Sequence, residues 1–371
     1  MGTATGSWLR SRVRIDRHEV TGAIGDSITV IPIVVALSLL TSVSLPHVLI
    51  AFGVFQIVWG LAYGLPMSVE PMKALAALAI AGGLTYAELA FAGVVLGIVL
   101  LLIGLSGTLA AVERWIGDPV IRGVQFAVGL LLLETGVRLG LADPTLALAG
   151  VAIAVAVAAA GYRAASGLAV VAACAVVAVW TAGFPTPTWP GTPPTPAVTD
   201  AVGWGVAEGV FAQLAMTVGN AALATSLLFA DRFDADVPPD DLSSSMGVTN
   251  LVAVPAGGIP MCHGCDGVAG KHAFGARTGG ANLVSGAGYL GTAFLATTTL
   301  LAAFPLAMIG AVLALVAVSL ARAVEHSSNV ALSVGIGVLA LLTNLGLAFL
   351  LGILVHLTSE RIAATRPEDT A

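Results

Sequence analysis

Apolar residues in this chain run in long blocks between short polar or Pro/Gly-rich punctuation. From Thr278 to Leu320, from His326 to Ser359 and from Ala164 to Thr199 there is no Asp, Glu, Lys or Arg. Each stretch has room for one or two spans of about 20 apolar residues, the length that crosses a bilayer core. Read by hydropathy, the pattern predicts about fourteen membrane segments. The first seven run approximately 22–43, 46–63, 66–83, 86–110, 119–140, 144–161 and 166–184. The second seven run approximately 203–230, 244–257, 260–275, 283–303, 305–322, 328–341 and 343–358. The implied organisation is an N-terminal cytoplasmic segment 1–21, a first repeat 22–184, an external Pro-rich loop 185–202, a second repeat 203–358 and a cytoplasmic tail 359–371.

Two of these segments are interrupted. The third reads Pro66-Met67-Ser68-Val69-Glu70-Pro71-Met72-Lys73 before an Ala/Leu run. Pro66 and Pro71 forbid a continuous helix, because each lacks an N–H and clashes with the preceding turn. Pro71 suits the start of a new helix instead. The tenth segment opens Pro260-Met261-Cys262-His263-Gly264-Cys265-Asp266-Gly267, where glycines permit close backbone approach. Both segments are therefore expected to be an extended piece feeding a half-helix that begins inside the membrane.

An offset of 194 residues superposes three places without a gap. Gly25-Asp26 falls on Gly219-Asn220, Gly53 to Ile57 on Gly247 to Leu251, and Gly64-Leu65-Pro66-Met67 on Gly258-Ile259-Pro260-Met261. An odd number of spans per repeat makes the two halves inverted, and Gly/Pro interruptions at corresponding positions point to a transporter binding site.

Composition agrees with a membrane solvent: of 371 residues, 57% are hydrophobic and 10% charged, with a mean hydropathy of +0.98. A soluble domain carries about 25% charged residues. Arg10, Arg12, Arg14 and Arg17 do not belong to a signal peptide and place the N-terminus in the cytoplasm. Arg114, Arg163, Arg232, Arg322 and Arg361 then fall on the same side, with Arg138 the exposed exception. The localisation expected is the plasma membrane, multi-pass, with both termini cytoplasmic.

The chain has thirteen Arg but two Lys, and both lysines, Lys73 and Lys271, lie in the interrupted segments. Facing half-helix N-termini offer free N–H groups and positive dipole ends, which suit a tetrahedral oxyanion. Arg277 follows closely, with a fork that matches oxyanions. Candidate substrate contacts are Lys73, Pro71, Met72, Gln213, Asn220, His263, Gly264, Arg277 and Lys271. Asp26, Glu70 and Asp266 are the acids expected to carry a coupled proton, since ionisable groups inside a membrane default to function. Cap and ion-pair roles remain open for Asp26 and Glu70, and a structural role for His263. Cys262-His263-Gly264-Cys265 is too sparse for a structural zinc, which needs four ligands. No metal, cofactor or nucleic acid is implied.

At these segments the sequence resembles the molybdate transporter family, a branch related to the SulP sulfate permeases. The stretches that carry the resemblance are Gly25-Asp26 through Ile31-Pro32, Pro66 through Lys73, Pro119 through Gln125, Gln213 through Asn220, and Pro260-Met261-Cys262-His263-Gly264 through Phe274-Gly275-Ala276-Arg277-Thr278-Gly279. The resemblance implies an all-α membrane protein. It would be a seven-plus-seven inverted repeat with core and gate domains, like uracil permease, whose third and tenth segments hold the anion. Gln213 and Asn220 would face that site. The family pattern leads one to expect Gln at Glu70 and Gly at Asp266, so two acids stand beside the site here. Their repulsion of an anion is removed by protonation or pairing, which argues for proton symport. The function implied is secondary active uptake of molybdate, sulfate or tungstate, by a chain that can pair as a homodimer. A nucleobase/proton symporter of the same fold, with Glu70 and Gln213 as hydrogen-bond partners, is the alternative. A non-transporting sensor is a further one. No nucleophile–base pair or HExxH motif suggests an enzyme.

Overall fold

A computed structural model describes residues 13–194 and 201–365. The first twelve residues with Arg10 and Arg12, the end of the Pro-rich loop at 195–200, and the tail from 366 onward lie outside the described residues.

Helix α1 (Arg17–Leu40) starts at Asp16, whose carboxylate accepts the N–H groups of His18 (2.8 Å) and Glu19 (3.2 Å). Those two amides, Glu19 first, hold the Asp16 carboxyl below the usual carboxylate range. Helix α2 (Leu45–Tyr63) stops at Gly64, which takes a left-handed φ of 66° that a side chain would resist. After it come β1 (Glu70–Pro71), α3 (Lys73–Ile80), α4 (Tyr86–Ser106), α5 (Leu109–Ile116), α6 (Asp118–Ala142), α7 (Pro144–Ala159) and α8 (Ser166–Ala182). The second half contains α9 (Trp204–Met216), a π-helical stretch Thr217–Ala224, α10 (Thr225–Phe233), α11 (Pro239–Ala253), β2 (Met261–Cys262) and α12 (Cys265–Ala273). It ends with α13 (Gly280–Ala293), α14 (Thr298–Ala302), α15 (Leu306–Ala321), α16 (Val330–Leu342) and α17 (Leu345–Thr365).

Among the described residues, eight helical stretches are long and apolar enough to cross a membrane, and Pro144–Ala159 and Val330–Leu342 are shorter apolar helices. Leu102, Leu148, Val155 and Leu354 stand exposed on their outer faces, as lipid-facing side chains must. Three details differ from the pattern expected along the chain. Leu109–Ile116 forms a separate short helix, the 283–303 segment divides into α13 and α14, and the 203–230 segment runs through a π-helical stretch. Hydropathy is blind to the last two, because neither changes the average apolarity of its block; Leu109–Ile116, with Glu113 and Arg114, falls largely between two blocks.

Helix packing follows the repeat. α2 lies on α13 and α11 on α4; α1 lies on α12 and α9 on α3; α6 and α15 form a third close pair. The approach of α1 to α12 is made by Gly25 against the backbone of Gly270, where a Cβ on either residue would enter the other's main chain.

At the centre, β1 and β2 pair antiparallel, with Glu70 opposite Cys262 and Pro71 opposite Met261. An extended piece was expected at each break; the two pieces pair with each other as short strands, which satisfies main-chain groups that the prolines leave bare. Met72 N–H donates to Pro260 O at 2.9 Å. The free edge of β2 is closed by Asn250, whose Oδ1 accepts from Met261 N (2.8 Å) and whose Nδ2 donates to Met261 O (2.7 Å). On the other segment Gln56 donates to Val69 O at 3.4 Å. Gln56 and Asn250 are exchanged by the 194-residue offset. In hydrocarbon an unpaired main-chain group costs several kcal/mol, so these amides hold the break closed. Asn250→Ala is expected to lower stability by about 1–3 kcal/mol, read as a melting-point drop in detergent. Thr343→Ala, which removes an exposed hydroxyl bonded only to Leu339 O and Asn344 O, should leave the melt unchanged.

Candidate anion site

The two short helices α3 and α12 begin beside the paired strands. Neither has a side-chain N-cap: Met72 and Gly264 make no capping bond. Their first-turn N–H groups were expected to face an open cavity, but two are already met by the protein. Gln213 Oε1 accepts from Ala74 N at 2.9 Å, and Glu70 Oε1 accepts from Gly267 N at 2.8 Å. The second contact crosses between the repeats: a carboxylate from the first interrupted segment sits at the positive end of the second half-helix.

Lys73, the first residue of α3, reaches Glu70 Oε2 at 3.0 Å and Asp266 Oδ2 at 2.8 Å. The two acids are held differently. Glu70 has a side-chain exposure of 1%, and its Oε1 also takes the hydroxyls of Thr29 (3.1 Å) and Ser68 (3.3 Å). Asp266 has a side-chain exposure of 57%, and among the described residues its carboxylate bonds only Lys73. Glu70 is therefore fixed and Asp266 can move.

Asp26 and Lys271 form a second, fully buried ion pair at 3.3 Å. Ser68 Oγ donates to Asp26 Oδ1 at 2.5 Å, and Gln56 Nε2 bonds Asp26 Oδ2. Lys271 Nζ donates to Gln56 Oε1 (2.9 Å) and Met67 O (2.5 Å). One polar chain thus runs from the accessible Asp266 through Lys73, Glu70, Ser68 and Asp26 to Lys271.

The structure separates the sequence candidates into groups. Lys73, Glu70, Asp266, Pro71, Met72, Gly264 and Gln213 come together at the paired breaks. Asn220 lies in the π-helical stretch, half-buried. His263 was expected at the substrate, but both ring nitrogens are engaged, one with Ser245 Oγ (2.7 Å) and one with Ser68 O (3.0 Å). Its ring lies edge-on to Trp59 and Tyr63. That makes it a brace for the Ser68 carbonyl, because Ser68 lies outside any helix. Arg277 is not at the site either: its guanidinium bonds His272 O (2.8 Å) and Ala276 O (2.7 Å). It borders a cavity of about 540 Å³ with Tyr63, Asp234, Asp236 and Asp241. Lys271 is buried away from solvent, with its charge answered by Asp26.

Sequence reasoning passed over Thr29, Gln56, Ser68, Asn250 and Asn282. Gln56 and Asn250 already lay in the repeat register and Ser68 in the first interrupted segment, both available signals; Thr29 and Asn282 are ordinary polar residues in helices and carry none.

Comparison with known proteins bears on the family and the fold. A family model described as "Molybdate transporter of MFS superfamily" matches residues 18–132 and 205–320, more than half of the chain. The chain belongs to the molybdate transporter family. Its relatives include "Molybdate transporter 2" of Arabidopsis thaliana, 28% identical over 385 residues, covering 87% of this chain and 82% of that protein. "Molybdate transporter 1" of Chlamydomonas reinhardtii is 36% identical over 126 residues, covering 33% of this chain and 24% of that one. In three dimensions the chain shares the fold of the transmembrane domain of a cyanobacterial bicarbonate transporter, with a TM-score of 0.66, 17% identity and coverage of 90% of this chain and 97% of that one. The murine anion transporter Slc26a9 has a TM-score of 0.68 at 14% identity, covering 98% of this chain and 73% of that one. This family member is therefore a helical, multi-pass membrane protein of the anion-transporter fold.

Gly267 is a tight point of the site, because a Cβ there would enter Ser68 Oγ and the carboxylates of Asp26 and Glu70. Gly267→Ala is expected to lose about 1–3 kcal/mol through overpacking, measured by thermal unfolding. Gly335→Ala, inside helix α16 where nothing lies within 4 Å, is the matched control and should melt no lower than the parent.

Proposed function

We propose that this protein is a secondary active transporter that takes up a tetrahedral oxyanion together with a proton, with molybdate first and sulfate or tungstate as the other substrates. The observation that carries the reading is Lys73, bracketed by Glu70 and Asp266 where the two short helices begin. The names of the Arabidopsis thaliana relatives, both molybdate transporters, support the same substrate class. In this reading the fourteen segments form a seven-plus-seven inverted repeat, 22–184 and 203–358, with broken third and tenth segments. α1–α4 and α9–α13 make the core, and α6–α8 and α15–α17 the gate. Rocking of core against gate exposes the site to each side in turn. Both termini face the cytoplasm and the membrane is the plasma membrane. The repeat-related packing pairs support the division.

The charge count explains why a proton belongs in the cycle. Lys73 and Lys271 stand against Asp26, Glu70 and Asp266, leaving one net negative charge when all are ionised. An anion entering such a site meets repulsion in a low dielectric, where like charges interact strongly. Protonating one acid brings the cluster to neutrality. Asp266, the accessible partner, swings off Lys73, and the oxyanion takes its place against the ammonium and the uncapped first turns of α3 and α12. Pro71, Met72, Gly264, Gln213 and Asn220 shape the surround. Glu70, fixed at the start of α12, is the group whose protonation removes the remaining repulsion.

Uptake of radiolabelled molybdate into proteoliposomes tests the assignment. Lys73→Ala is expected to lower uptake at least about tenfold, since one lost charged contact is worth about 1.5–3 kcal/mol. Uptake equal to wild type, or competition by uracil and none by oxyanions, overturns it. Wild-type oxyanion binding is expected to strengthen as pH falls, because protonation removes a negative charge from the site. Glu70→Gln mimics the protonated state and should flatten that dependence. Calorimetric titration at two pH values reads both.

A further inference from the structure

In the anion cycle described above Lys271 enters only through the charge count, yet it is one of the largest fully buried side chains. An ammonium carries three donors, and three oxygens lie around this one: Asp26 Oδ2 at 3.3 Å, Gln56 Oε1 at 2.9 Å and Met67 O at 2.5 Å. They come from three elements, α1, α2 and the non-helical stretch ahead of β1. A carboxylate, an amide oxygen and a main-chain carbonyl are the ligand set that hard cations take. Carbonyls at a helix break are also where carriers with discontinuous helices coordinate their coupling cation. Asn282 borders the same oxygens, with Nδ2 2.7 Å from both Gln56 Oε1 and Met67 O. Its own buried Oδ1 has no hydrogen-bond partner among the described residues.

The contrast with Lys73 is informative. Lys73 is bracketed by two carboxylates, one of them accessible, as suits a charge that exchanges partners. Lys271 is answered by a single carboxylate and by neutral oxygens, and its side chain has an exposure of 0%. Asp26 alone balances its charge. The bond to Met67 O places the ammonium at the break itself, where no helical N–H reaches that carbonyl.

We propose that Lys271 Nζ is a tethered monovalent cation, filling an oxygen-lined cation site built by Asp26, Gln56 and Met67. The wild-type protein then needs no free alkali cation there, and removing the ammonium opens the site to one. The inference goes beyond the anion reading: it concerns what Lys271 Nζ stands in for, not where the oxyanion binds.

The test is thermal unfolding of the full chain in nanodiscs, without any oxyanion, in sodium, potassium and choline chloride at equal ionic strength. Wild type is expected to melt at one temperature in all three salts. Lys271→Ala should melt lower in choline and recover by roughly 5 °C, saturably, with sodium or potassium. Adding Asp26→Asn to Lys271→Ala should abolish the recovery, because the site's only carboxylate is gone. An identical Lys271→Ala melt in all three salts overturns the proposal, as does sodium stabilisation of wild type over choline. Should Lys271→Ala fail to purify in choline, purification in sodium must recover it; failure in both salts also counts against the site. Because no oxyanion is present, the result is independent of whether molybdate is the substrate.

Discussion

The antiparallel pairing of Glu70–Pro71 with Met261–Cys262 is the contact on which the rest of this structure depends. Prolines remove the helical ladder in two segments that lie in an apolar surround, and hydrocarbon supplies no partners for the main chain. Two strands of two residues cannot satisfy everything they expose. Side chains do the remainder: Asn250 on β2, Gln56 on Val69 O, His263 on Ser68 O, and Lys271 with Asn282 on Met67 O. Most of the buried polar residues near the centre are thus explained by the backbone before any ligand is considered.

The same pairing sets the electrostatics. It brings the starts of α3 and α12 together and carries Glu70 across to the N–H of Gly267. Lys73 is then within reach of acids from both repeats. A site that looks cationic when its lysines are counted is, in the folded chain, a network of ion pairs with one acid in excess. In the proposed reading, an anion binds there by exchanging one partner for another rather than by filling an empty positive pocket. The unequal burial of Glu70 and Asp266 decides which partner can leave.

Close backbone approach makes the network reachable. Gly25 and Gly270 let α1 lie directly on α12, which puts Asp26 beside Lys271 across the helix interface. Larger residues would hold the helices apart, lengthening the ion pair in a medium where an unpaired charge is costly. The charges within the membrane are therefore tied to the small residues beside them, and neither is understood alone.

The sequence by itself determined that the chain is a membrane protein. It also located the two interrupted segments and residues that gather around them, because apolar length and proline are local properties that survive without coordinates. It marked Lys73, Glu70 and Asp266 as one neighbourhood for the same reason: each lies within a few residues of a proline break. Which charges pair was decided only by tertiary structure. Lys271 and Arg277 lie in the same stretch as Asp266, yet α12 turns one into the core against Asp26 and ends before the other, which closes on its own carbonyls. His263 looks like a ligand in the sequence and is a brace in the fold, since what a buried imidazole does is set by its neighbours in space. Those neighbours, Ser68 and Ser245, stand far from it or unmarked along the chain.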